Sequence, residues 1–153
     1  MTSGDILAAT HQKSFEEHAL HRFSAQKIDL FVADEKRYFS PIKVQESYPA
    51  EANDKQAKSH LVLGWLLGHS TDLAQQMRAN LLARVLLDNS ASPLRRELET
   101  CGIGTVPSQL CGLEDSNKEM TFVCGLEGAD VTDADQIETL VLDCLKKVAL
   151  EGV

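Results

Sequence analysis

The most regular pattern in the chain lies toward its C-terminal end. Ile137, Leu140, Val141, Cys144, Leu145, Val148 and Ala149 recur at spacings of three and four, which predicts one apolar stripe on a helix. Thr132 with Asp135 three residues on predicts a capping box, Asp133 adds charge at the positive end, and Gly152 stops the helix. Just before it, Met120, Phe122, Cys124 and Leu126 alternate with Thr121, Val123 and Gly125, the two-residue period of a strand. The stretch GTVPSQLCGLEDS predicts a second strand, joined to the first by the turn sequence Glu-Asp-Ser-Asn.

Upstream, HLVLGWLL is a continuous apolar run with β-branched and aromatic members and predicts a buried strand. Ser70 or Thr71 can cap the next helix, with Asp72 well placed against its dipole. That helix carries Leu73, Met77, Leu81 and Val85 on one face and runs to about Leu87. Asp-Asn-Ser-Ala-Ser-Pro breaks it, and Pro93 suits the first turn of a second helix, PLRRELETC, that Gly102 ends. In this corner Asn89, Ser90 and Ser92 can bond the free backbone groups of two abutting helix ends. Gly102 and Gly104 then release the chain into the next strand.

The first part of the chain is different. Residues 11–26 have helical spacing through Phe15, Ala19 and Phe23, and Ile28–Val32 predicts a short strand. Residues 33–56 are polar, hold two prolines and read as a connector, with at most a brief extended piece around Ile42 and Val44. Residues 1–59 therefore form an N-terminal helix, short strand and connector, and residues 60–153 a strand-helix-helix-strand-strand-helix core, together one domain. The order predicts an α+β fold, a largely antiparallel sheet with helices packed on one face.

Composition narrows the function more by exclusion than by suggestion. The 153 residues suffice for one domain with a real core, and 43% apolar with 25% charged residues is ordinary for a globular fold. A net charge of −8 argues against nucleic acid and against anionic membranes as partners. The N-terminus has no basic start followed by a long apolar run, and Leu61–Leu67 is too short to span a bilayer, so a cytoplasmic location is expected. Cys101, Cys111, Cys124 and Cys144 form no C-x-x-C pair and are expected to act as small buried hydrophobes.

Chemistry is scarce. His18 and His21 are three apart on a predicted helix, but no H-E-x-x-H or H-x-x-E-H occurs, and neither His60 nor His69 has carboxylates at ligand spacing. Ser90 and Ser92 lack a G-x-S-x-G elbow, and Gly102 to Gly104 follows a helix where a phosphate loop would open one. Glu97, Glu99, Glu114 and Asp115 give no acid–base pair without a fold. The residues supply no self-contained catalytic or metal constellation.

The sequence nevertheless carries Trp65-Leu66-Leu67, Ser92-Pro93-Leu94, Gly102-Ile103-Gly104 and Gly125-Leu126-Glu127-Gly128 in this order. With that spacing, residues 28–153 resemble the second homologous domain of the insulinase/pitrilysin-type zinc metallopeptidases, in the presequence-protease branch. The resemblance implies a metallohydrolase-like domain of a larger enzyme whose four related domains close around unfolded peptides. It places zinc in the first domain, on H-x-x-E-H and a later glutamate, motifs this chain lacks. It implies a scaffold and chamber wall, with the remaining domains of a parent peptidase and unfolded peptide as partners, and no cofactor in this chain. The chain is then expected to be a fragment. Trp65, Asn89, Ser92, Pro93, Leu94, Gly102 and Gly104 are the motif positions, structural or chamber-lining, and an exposed strand edge offers a place for extended peptides. The alternative is a catalytically inactive structural or interaction protein of the same fold. A third possibility is a free-standing enzyme with Cys101 or Cys111 as nucleophile.

Overall fold

The computed structural model describes residues 3–19, 22–23, 27–49 and 59–153. Contacts divide the chain into two compact units, Met1–Val32 and Ala33–Val153.

In the first unit, helix α1 spans Ser3–His18. It starts eight residues before the predicted helix, which begins at residue 11, and part of that prediction (residues 20–21 and 24–26) lies outside the described residues. Its exposed face is laced by Gln12 to Glu16 and Lys13 to Glu17, each one turn apart. The strand predicted at Ile28–Val32 does not form: these residues carry no ladder, and Asp29 accepts the Phe31 N–H at 3.0 Å instead. An Asx turn of this kind offers the backbone an alternative to pairing.

The second unit contains β1 (Ser59–His69), α2 (Leu73–Leu87), α3 (Pro93–Thr100), β2 (Val106–Pro107), β3 (Gly112–Glu114), β4 (Glu119–Ala129) and α4 (Ala134–Glu151). The sheet is antiparallel throughout. β4 is its centre, with β1 on one side (Leu63 opposite Cys124, Trp65 opposite Phe122) and β2 and β3 on the other. Phe122, Cys124 and Leu126 of β4 pack with Leu86 and Leu87 of α2, Leu94 and Leu98 of α3, and Ile137 and Val141 of α4. Alternate residues of β4 supply this core, so the three helices lie on one sheet face, as the α+β reading requires.

Several local expectations shift. The run GTVPSQLCGLEDS is two short strands, β2 and β3, separated by a turn in which Cys111 N–H bonds the Ser108 carbonyl. Asp72, and neither Ser70 nor Thr71, caps α2: its carboxylate accepts the Gln75 N–H at 3.1 Å, while the Ser70 hydroxyl reaches across to the Asn117 carbonyl. Asp130 and Asp133, and not Thr132 and Asp135, form the capping box before α4, around the short 3₁₀ turn Val131–Asp133. β1 is an edge strand with Leu61, Leu63, Trp65 and Leu67 packed on the core and Val62 exposed, so it is half-buried, not fully buried.

The largest departure is on α2. Leu73, Met77 and Leu81, expected to face the core, are 67%, 65% and 66% exposed, whereas Ala83, Leu86 and Leu87 are buried. The helix has two apolar faces, and packing in this unit uses the second.

Candidate functional site

The corner between α2 and α3 gathers four of the seven motif residues. Asn89 accepts the Ala91 N–H at 2.9 Å through its side chain, and its carbonyl accepts the Ser92 N–H at 2.8 Å. Ser92 is buried and precedes α3, yet its hydroxyl turns back to accept the Asn89 N–H at 3.3 Å instead of capping that helix. Arg95, and after it Ser90, bond the Glu99 carboxylate and hold that acid below its usual range. Pro93 occupies the first turn of α3, and Leu94 points wholly into the core. Beyond α3, Gly102 takes φ +69°, the left-handed conformation in which L side chains are strained. Gly104 serves contact: a Cβ there would stand 2.9 Å from Leu126 Cβ and 3.0 Å from the Glu127 carbonyl. Trp65 lies apart from the corner, on β1, with its ring 6.0 Å from that of Phe122.

The carboxylates considered from sequence are dispersed. Glu114 bonds Ser116, Asp115 takes Gln76 and Asn80 of α2 at 3.2 Å each, and Glu99 pairs with Arg95 at 2.8 Å. Glu97 lines a shallow groove of about 500 Å³ between α3 and α4, together with Gln136, Thr139, Asp143, Cys144 and Lys147. Among the described residues no buried side-chain nitrogen or oxygen lacks a partner.

The histidines are equally scattered. His18 bonds the Ser14 carbonyl at 2.8 Å, His60 lies 3.6 Å from Glu127, His69 lies 3.3 Å from Asp34, and His21 is outside the described residues. Among the described residues no three His, Cys, Asp or Glu side chains converge as a metal site requires.

All four cysteines are free. Cys111 sits at the end of the β2–β3 turn, its sulfur accepting the Gly125 N–H at 3.3 Å, and burial raises its thiol, the opposite of nucleophile activation. Burial pushes the Cys124 thiol up to about 12, with Cys111 and Cys144 nearby adding to the rise. An unfolded thiol ionises near about 8.5. The buried neutral thiol therefore contributes stability that is whole below that pH and is lost as pH climbs toward 12, on the order of 5 kcal/mol. Chemical denaturation between about pH 8 and about pH 11 should show falling midpoints, with a flatter profile for Cys124→Ala; parallel profiles would refute the assignment to this thiol.

One polar cluster had no sequence signal. Glu119, at the start of β4, is 6% exposed, and its carboxylate holds Arg37 at 2.5 Å and the Glu35 N–H at 2.6 Å. The partners are more than eighty residues apart, and one lies in what reads as a polar connector.

With the geometry in place, comparison with known proteins gives a consistent outcome. No family model matches the chain. Presequence protease 1, chloroplastic/mitochondrial, of Arabidopsis thaliana is 33% identical over 120 residues, covering 77% of this chain. The mitochondrial presequence protease of Yarrowia lipolytica is 28% identical over 111 residues, 72% of the chain, and that of Xenopus tropicalis 25% identical over 154 aligned residues, 99% of the chain. The chain spans only 11%, 11% and 15% of these three relatives. Over most of its length, then, the chain is homologous to one region of the presequence proteases.

Proposed function

We propose that this chain is a non-catalytic domain of a zinc-dependent metalloendopeptidase that degrades unfolded peptides, and that it acts as scaffold and chamber wall beside the zinc-bearing domain. The observation that carries the reading is the second apolar face of α2. Leu73, Met77 and Leu81 form a one-turn-spaced stripe in solvent while the opposite face of the helix fills the core. Such a stripe is the mark of a surface made to be covered. Homology to a small part of much longer peptidases supplies a kind of cover, the remaining domains of a parent protein. In this reading zinc and its ligands belong to a neighbouring domain, and the corner of Asn89, Ser92, Pro93 and Leu94 fixes the angle at which α2 presents its outer face.

The test uses the purified chain. Elemental analysis should find no stoichiometric zinc, and an unstructured fluorogenic peptide should not be cleaved in a chelator-sensitive way. Either stoichiometric zinc or chelator-sensitive cleavage would overturn the scaffold role.

A further inference from the structure

Cys111 and Cys124 stand opposite each other on neighbouring lengths of chain. Gly112 pairs with Val123, Leu113 with Phe122 and Glu114 with Thr121, so one step further along both strands sets Cys111 across from Cys124. The Cys111 sulfur agrees with that register: it accepts the Gly125 N–H at 3.3 Å and donates to the Gly125 carbonyl at 3.4 Å, next to Cys124. The two thiols also share a face of the sheet. Cys124 lies two residues beyond Phe122, and both belong to the core; Cys111 lies two residues before Leu113, and both pack against that core. Residues directly opposite in an antiparallel pair have Cα atoms about 4.5–5.5 Å apart, inside the range of about 4.4–6.8 Å that a disulfide spans.

We propose that Cys111 and Cys124 form a cross-strand dithiol, a modification site that a small peroxide closes to a disulfide and a thiol reductant reopens. Cys111 is partly exposed and meets the oxidant first, whereas Cys124 is wholly buried. The Cys111 thiolate, its proton given to solvent, attacks one peroxide oxygen. The O–O bond breaks, the departing oxygen takes up a proton as water, and Cys111 becomes a sulfenic acid. The Cys124 sulfur then attacks the Cys111 sulfur. The S–O bond breaks, and the hydroxyl leaves with the Cys124 proton as a second water. Both thiols are oxidised, the peroxide is reduced, and an S–S bond fastens the start of β3, a strand of three residues, to β4. The other two cysteines are worse placed for this step. Cys101 closes α3 with its thiol engaged by the Leu98 carbonyl at 3.4 Å, and Cys144 is buried on α4, in the helix layer.

Thiol mapping of the whole chain tests this. The native protein is treated with hydrogen peroxide at mildly alkaline pH, because burial raises both thiols and leaves little thiolate at neutrality. Acid stops the reaction before unfolding and alkylation, so that the pairs cannot reshuffle. Two of the four free thiols should be lost, peptide masses should show Cys111 linked to Cys124, and dithiothreitol should restore all four. Cys111→Ser should keep Cys124 as a free thiol, and Cys144→Ala should still form the bond. A parent chain that keeps all its thiols, that carries Cys111 only as a sulfinic acid, or that joins Cys124 to Cys144 would overturn the dithiol. So would a disulfide at Cys124 in Cys111→Ser. The map of the parent chain stands even if a variant fails to fold.

Discussion

Gly125→Ala is expected to destabilise the second unit by more than about 3 kcal/mol, a large share of the stability of an ordinary domain. A methyl group at this position would stand 2.0 Å from the Leu61 carbonyl oxygen and 2.7 Å from Val62 Cα. Both are backbone atoms of β1 and cannot swing away as a side-chain tip would. The same residue is bonded on its other side: its carbonyl accepts the Ser108 N–H at 2.9 Å and its N–H meets the Cys111 sulfur. Relief by moving β4 would thus disturb β1 or the β2–β3 turn. Gly64 on β1 is the control, because a methyl there meets only Val123 Cγ2 at 3.9 Å, an ordinary contact. Urea denaturation should separate the two variants widely, and a Gly125→Ala midpoint equal to that of the parent chain would refute the close approach.

Leu94→Ala should cost about 3–4 kcal/mol, in the upper part of the range for a leucine truncated in a closed core. Leu94 has no exposed surface and sits in the first turn of α3, where the corner delivers it among residues of α2, α4 and β4. Pro93 and the Ser92 backbone fix that first turn, so the helix cannot easily sink to fill the void. Trimming the neighbouring corner side chain, Asn89→Ala, removes one exposed bond and should cost about 1 kcal/mol. Equilibrium unfolding of both variants checks the order; a Leu94→Ala loss below about 1 kcal/mol would show that the corner is not what seats α3.

The elements whose period is local and unambiguous were legible. The stripe through Ile137, Val141 and Cys144 and the alternation through Phe122, Cys124 and Leu126 point inward as their spacing predicts. α2 defeated the same argument because it has apolar residues on two faces, and spacing alone cannot say which of them a core will take. β1 read as fully buried for a related reason: a continuous apolar run fits a strand covered on both faces, whereas here one face and one edge lack a covering strand or helix. Both caps moved by one or two positions because Ser70, Thr71 and Asp72, like Asp130, Thr132 and Asp133, crowd several competent residues into one turn. The Glu119 clasp and the tight space at Gly125 depend on partners 82 and about 60 residues distant, and nothing in either neighbourhood announces them. Gly102, whose requirement is its own backbone angle at a helix end, was visible at once.

The central place of β4 also orders events at the ribosome. β1, β2 and β3 are each bonded to β4 among the described residues, and β4 is the last of the four to be made. A nascent chain that has emerged as far as α3 holds no sheet, and β1 waits for about sixty further residues before Ala129 completes its partner. At ordinary elongation rates that is roughly 3–12 s during which Leu61, Leu63 and Trp65 are unsheltered. A stall or premature stop anywhere before residue 119 releases helices and a bare apolar strand with no strand to pair with, a product for proteases and chaperones instead of a smaller folded domain.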